Sequence, residues 1–156
     1  MFHEAIEQAK ALDLYQKQHG AVKGPLRGLP ISLKDSFKVR GHDATIGLLH
    51  FTNKPIEEKF ILVETLRSLG AVLHCKTNVP QTMMTSDSEN NIWGRTLNPN
   101  KSLTSGRSTG GEGALIALRG SVAGIGTDVA GSNVIRSALQ FYFECHDGDV
   151  PSRYLK

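Results

Sequence analysis

The segment GRSTGGEGALIALRGSVAGIGTDVAGS, from Gly106 to Ser132, constrains this chain more than any other stretch. Glycine costs backbone entropy in every regular element, so a run this rich in it is poorly suited to building core. Such composition brings backbone N–H groups or hydroxyls close to something that larger side chains would keep away. Three uses fit: cradling a phosphate, holding a nucleophile, or joining two units as a flexible linker. Its charged residues are Arg107, Glu112, Arg119 and Asp128.

The first and third uses fail on the residues. A P-loop needs G-x-x-x-x-G-K-[ST], and no lysine lies between Lys101 and Lys156. A dinucleotide-binding loop runs from a strand into a helix. Here GRSTGGEG follows a polar loop and places Glu112 where a phosphate would sit. Linkers are polar throughout, whereas ALIALRGS and VAGIGTDV are apolar enough to be buried. Hydroxyl chemistry remains. Ser132 follows Ala130-Gly131, small residues that let the backbone turn tightly and present N–H groups to an oxyanion. Serine is a weak nucleophile without a base. The histidines offer no convincing partner in sequence, but Lys34 ends the strand PISLK, an apolar setting in which lysine is uncommon. Free lysine titrates near ~10.4, so service as a base near neutral pH needs a shift of about three units, or ~4 kcal/mol, which desolvation at a buried strand end supplies.

The order of elements is that of an α/β protein with crossover connections. His3 to His19 reads as an amphipathic helix with Ile6, Ala9, Leu12 and Tyr15 near one face and Gly20 as its cap. Ile31 to Lys34 is a short strand, Phe60 to Leu69 a helix stopped by Gly70, and Ala71 to Lys76 a second strand. Thr77 to Ser105 reads as a long ordered loop, a length that is more often functional than idle. Gly110 to Arg119 reads as a helix and Val122 to Thr127 as a buried strand. From Gln140 onward the sequence mixes aromatics, acids and turn residues without period, so the chain divides into a domain over 1–139 and a divergent tail over 140–156.

Composition narrows the partners. With 39% apolar and 21% charged residues, wholesale disorder is not expected. The net charge of +3 comes from scattered basic residues, which argues against nucleic acid or a membrane surface. No apolar run approaches membrane-spanning length, and Met1 to Lys10 lacks the basic-then-apolar order of a signal peptide. Cys75 and Cys145 have no CxxC spacing. The expectation is a soluble, cytoplasmic protein.

Four motifs in order then point to a family. GPLRGLPISLKDSF is similar to GPLHGLPISLKD, LGAVLHCKTNVPQ to LGAVLIAKTNLPQ, ENNIWGRTLNPN to ENPLWGLTTNP, and the glycine-rich segment to GGSTGGEGALIALRGS…GTDIAGS. With these motifs the chain, over roughly Ala5 to Ser132, resembles the amidase signature hydrolases, most closely the acetamidase-like ones. The resemblance implies a partial amidase-signature fold, α/β with a mixed central sheet and flanking helices, whose C-terminal part is missing. It implies hydrolysis of a carboxamide to an acid and ammonia or amine through an acyl-enzyme. By motif position the nucleophile is Ser132, the second serine, in a cis peptide, is Ser108, and the base is Lys34. Backbone N–H groups of Val129, Ala130, Gly131 and Ser132 line the oxyanion hole, with Thr109, Thr127 and Asp128 as supports. No metal or organic cofactor is implied. The partner is a small-molecule amide, and a homo-oligomer stays open.

Each residue also has a plainer reading. Lys34 suits an exposed strand end, Ser108 a turn, Ser132 the N-cap of a helix over 133–141, and Asp128 a bond to nearby backbone. Cys75 suits a buried apolar position rather than a reactive thiol. The adjacent pairs His74-Cys75 and Cys145-His146 lack metal-ligand spacing. Trp93 suits a core anchor of the long loop, and Met83-Met84 core packing, although the family places that region near the substrate. Three departures from the family pattern stand out: Arg107 in place of a glycine, SNVIRSA in place of S-I-R-I-P-A after Ser132, and the early end of the chain. The alternative function is therefore a catalytically inactive remnant acting at most as a binding or interaction module.

Overall fold

Strand β1 (Pro30–Lys34) is the axis of the molecule, and its alternation explains the layers on either side. Successive side chains of a strand point to opposite faces. Ile31 and Leu33 enter an apolar cluster with Val63, Leu66, Leu73, Phe37 and Val39. Ser32 and Lys34 point the other way and are buried as well. One face of β1 is thus ordinary core and the other a buried polar layer. The computed structural model describes residues 1–100 and 103–127.

Helix α1 (Phe2–His19) leads the chain and ends at left-handed Gly20, whose N–H donates to the Gln16 carbonyl at 2.9 Å. Its inner face is Ala5, Ala9 and Leu12, which pack on Val72. Ile6, expected on that face, is exposed; the stripe is phased one residue earlier, on Ala5. After β1 come a single turn at Leu49–Phe51 and helix α2 (Ile61–Ser68), which lays Val63 and Leu66 on Ile31 and Leu33. Strand β2 (Val72–Thr77) follows and pairs parallel with β1, Lys34 opposite Thr77. Helix α3 (Gly110–Ala117) leads to β5 (Ala123–Ile125), which pairs parallel with the other edge of β1. The order β2-β1-β5 makes β1 the central strand. Two short antiparallel strands, β3 (Glu89–Asn90) and β4 (Gly94–Arg95), form a separate ladder in the long connection between β2 and α3.

That connection is ordered by side-chain amides, which both donate and accept. Asn90 Nδ2 donates to Asn78 Oδ1 at 2.6 Å and to the Val79 carbonyl at 2.7 Å, while its Oδ1 accepts the N–H groups of Ile92 and Trp93. Asn78 Nδ2 donates to the Gly94 carbonyl and to Thr96 Oγ1. Trp93 does not anchor the loop: it is 64% exposed, because Asn90 holds its backbone and leaves the ring outside. Met84 is 84% exposed, so Met83-Met84 is not core either; Thr82 and Met83 both take left-handed φ in the turn that carries it outward.

Leu33 is fully buried at the centre of the apolar layer. Leu33→Ala is expected to cost about 2–5 kcal/mol of unfolding free energy, read from denaturant titration. A loss below about 1 kcal/mol would mean that β1 is not the centre of the core.

Candidate active site

The polar face of β1, the turn into α3 and the residues after β5 bring four of the expected residues together. Lys34 is 1% exposed, and its Nζ lies 3.0 Å from Ser108 Oγ, 2.6 Å from Thr127 Oγ1 and 3.4 Å from the Thr127 carbonyl. Ser108 is 5% exposed. Thr109, wholly buried, donates its hydroxyl to the Thr127 carbonyl at 3.1 Å. Thr127 thus accepts from the amine with both its hydroxyl and its carbonyl oxygen. Ser132, the oxyanion-hole residues Val129, Ala130 and Gly131, and Asp128 lie outside the described residues.

Local backbone explains how Ser108 reaches the lysine. Arg107, the position at which the family pattern has glycine, takes a left-handed φ of 32°. Such a conformation costs an L-residue of order 1–2 kcal/mol. It is held at both ends: the Arg107 N–H donates to the Ser86 carbonyl at 2.9 Å, and the Arg107 carbonyl accepts from Ser88 Oγ at 2.7 Å. Arginine is therefore accommodated there, and the turn into Ser108 comes from φ; every described peptide bond is trans, unlike the cis bond that the family pattern implies. Next in sequence, Gly110 and Gly111 let α3 approach closely. A Cβ on Gly110 would overlap Ser88 Oγ, and one on Gly111 would overlap the backbone of Asn78. The double glycine is a packing requirement, which answers why the segment is so poor in side chains.

Further polar residues surround this group. Glu112, wholly buried, accepts Ser32 Oγ at 2.5 Å and Thr77 Oγ1 at 2.7 Å. Asp35, next to Lys34, accepts the Ile46 N–H at 2.7 Å and Thr45 Oγ1 at 3.1 Å, and faces Lys76 at 3.6 Å. Burial holds the Lys76 pKa below the usual lysine range, against the opposing pull of Asp35. Ser88, Ser32, Thr77 and Glu112 escape a reading by motif because their roles arise only when loop, sheet and helix meet. Among the described residues no group of His, Cys, Asp or Glu could hold a metal ion, and no helix is long and apolar enough to cross a membrane.

The comparisons with known proteins settle the lineage. Residues 1–141 match the Amidase family. The chain belongs to this family. Acetamidase of Emericella nidulans is 46% identical over 140 residues, 89% of this chain and 26% of its own length. Amidase 1 of Gibberella moniliformis is 47% identical over 132 residues, 84% of this chain and 25% of its own. The chain thus spans about a quarter of the length of these curated relatives. Among solved structures, fatty acid amide hydrolase superposes with a TM-score of 0.80 at 40% identity, covering 83% of this chain and 23% of that one. Peptide amidase from Stenotrophomonas maltophilia gives 0.78 at 28% identity, covering 86% and 28%. The fold is accordingly a partial amidase α/β fold.

One residue of this amidase segment matches its plainer reading as an unreactive thiol, although it is only half-buried. Cys75 is half-buried on β2, and desolvation, with a smaller push from the Glu112 charge, raises its thiol pKa to about 11. Only the thiolate is nucleophilic, so this upward shift holds Cys75 in its unreactive thiol form near neutral pH. Alkylation by iodoacetamide, followed on the Cys75 peptide by mass spectrometry, is expected to keep accelerating up to about pH 11. A plateau by pH 9 would show an ordinary thiol.

Proposed function

We propose that this segment carries the proton-handling half of an amidase, which cleaves a carboxamide C–N bond to a carboxylic acid and ammonia or an amine. The observation that carries the reading is the Lys34 amine, buried and 3.0 Å from Ser108 Oγ, in a chain of the amidase family. The acetamidase relatives favour a small linear carboxamide as the substrate.

The chemistry proceeds as follows. Burial works against the ammonium form of a lysine, the physical route by which it becomes a base. The Lys34 lone pair accepts the proton of Ser108 Oγ while Ser108 accepts that of Ser132, and Ser132 Oγ attacks the carbonyl carbon. Backbone N–H groups over 129–132 take the developing oxyanion. As the C–N bond breaks, the proton returns from Lys34 through Ser108 to the leaving nitrogen. Water then attacks the acyl-Ser132 ester by the same proton route and releases the acid. Thr127 accepts from Nζ at 2.6 Å, which keeps the lysine aimed while its lone pair turns to Ser108. No metal or organic cofactor takes part in this scheme.

Lys34→Ala in the full-length enzyme is expected to lower kcat by about 10²–10⁴-fold, the usual worth of a positioned base. Lys34→Arg is expected to fail equally, because guanidinium does not give up its proton near neutral pH. Amide turnover is measured by release of ammonia from acetamide. Wild-type-like turnover in the arginine variant would overturn the assignment.

A further inference from the structure

Glu112 is wholly buried, and the reaction scheme does not use it. A carboxylate taken out of water is costly unless its oxygens are satisfied. Here each oxygen accepts a hydroxyl from a different strand: Oε2 takes Ser32 on β1 at 2.5 Å, and Oε1 takes Thr77 on β2 at 2.7 Å. On its remaining side lies Gly124 on β5, where a Cβ would overlap Glu112 Oε2 and press on Ser32 Oγ. One side chain from α3 thus meets all three strands of the sheet.

The spacing gives this contact a consequence at the catalytic pair. Ser32 and Lys34 are two positions apart on β1, about 6.6–6.8 Å along the strand. Ser108 lies in the turn two residues before α3 begins at Gly110, and Glu112 lies in the first turn of that helix. In this one docking of turn and helix on β1, Ser32 meets Glu112 while Lys34 meets Ser108. A slide of α3 along β1 would break both contacts together. We propose that Glu112 is a positioning residue for amide hydrolysis: its two-hydroxyl clamp sets the register of α3 on the sheet and thereby holds Ser108 Oγ within reach of Lys34. The proposal rests on the proton route above, and it predicts a loss in kcat rather than in substrate binding.

The test is steady-state kinetics on the full-length enzyme, with kcat referred to folded protein measured by circular dichroism and size-exclusion chromatography. Glu112→Ala is expected to lower kcat by about 100-fold, the scale of an ångström-sized misplacement, with KM within about threefold of wild type. Glu112→Gln keeps an acceptor for one hydroxyl and an amide that donates to the other, so it is expected to stay within about tenfold of wild type. Gly124→Ala, which crowds the carboxylate, is expected to lower kcat as Glu112→Ala does. Adding it to Glu112→Ala is expected to cause little further loss, since the crowded group is gone. The gly-to-ala variant also reads the clamp without removing the acid, should Glu112→Ala not fold. Equal loss in the Gln and Ala variants, a fall confined to KM, or fully additive effects of Glu112→Ala and Gly124→Ala would overturn the positioning role. Lys34→Ala run alongside separates the two claims. If it is inactive while Glu112→Ala keeps kcat within threefold, only the positioning role fails; if it stays active, the proton route itself fails.

Discussion

A lysine amine buried at the end of a central strand is the constraint on which the rest of this segment depends. Placing Nζ out of water obliges the fold to supply polar partners, and Ser108 and Thr127 meet it on the side of β1 opposite the apolar core, with Thr109 bonded in turn to the Thr127 carbonyl. The same face carries Ser32 and Glu112, so that two hydrogen-bonded groups lie side by side between β1 and α3. A layer of this kind adds little to stability compared with apolar packing. Its value lies in fixing geometry, and apolar contact between Ile31, Leu33 and α2 on the opposite face supplies the cohesion.

The long connection between β2 and α3 serves the same end. Its asparagine ladder fixes residues 78–96, and Ser86 and Ser88 in turn grip Arg107 on both sides of its strained φ. The strain of an arginine in a glycine conformation is thus borne by two hydrogen bonds from an ordered loop. Gly110 and Gly111 then allow α3 to lie against that loop without a gap. Loop, turn and helix act as one support for Ser108.

Much of this was legible in the sequence, because it rests on short-range signals. The apolar PISLK, the Gly20 stop and the helices before and after β2 follow from periodicity and capping, and the structure bears them out to within a residue or two. Lys34 was conspicuous as a lysine among apolar neighbours. The rest was hidden where long-range contact decides. Ile6 and Ala5 are interchangeable to a helical pattern and are sorted only by docking on Val72. Trp93 looked like an anchor by size, yet Asn90 takes its backbone and leaves the ring exposed. Glu112 read merely as a residue unfriendly to phosphate, since nothing local reveals that Ser32 and Thr77 await it from two strands.

The account stands on Lys34 and Ser108 acting as one device, and a double-mutant cycle tests that directly. Residues that work as a unit are strongly non-additive in catalysis, whereas independent contributors multiply. Lys34→Ala, Ser108→Ala and the double variant would be compared in the full-length enzyme by kcat/KM for acetamide. The predicted result is that the double variant loses no more than the more damaged single. Losses that multiply across the two singles would contradict the account, because each residue would then be contributing without the other.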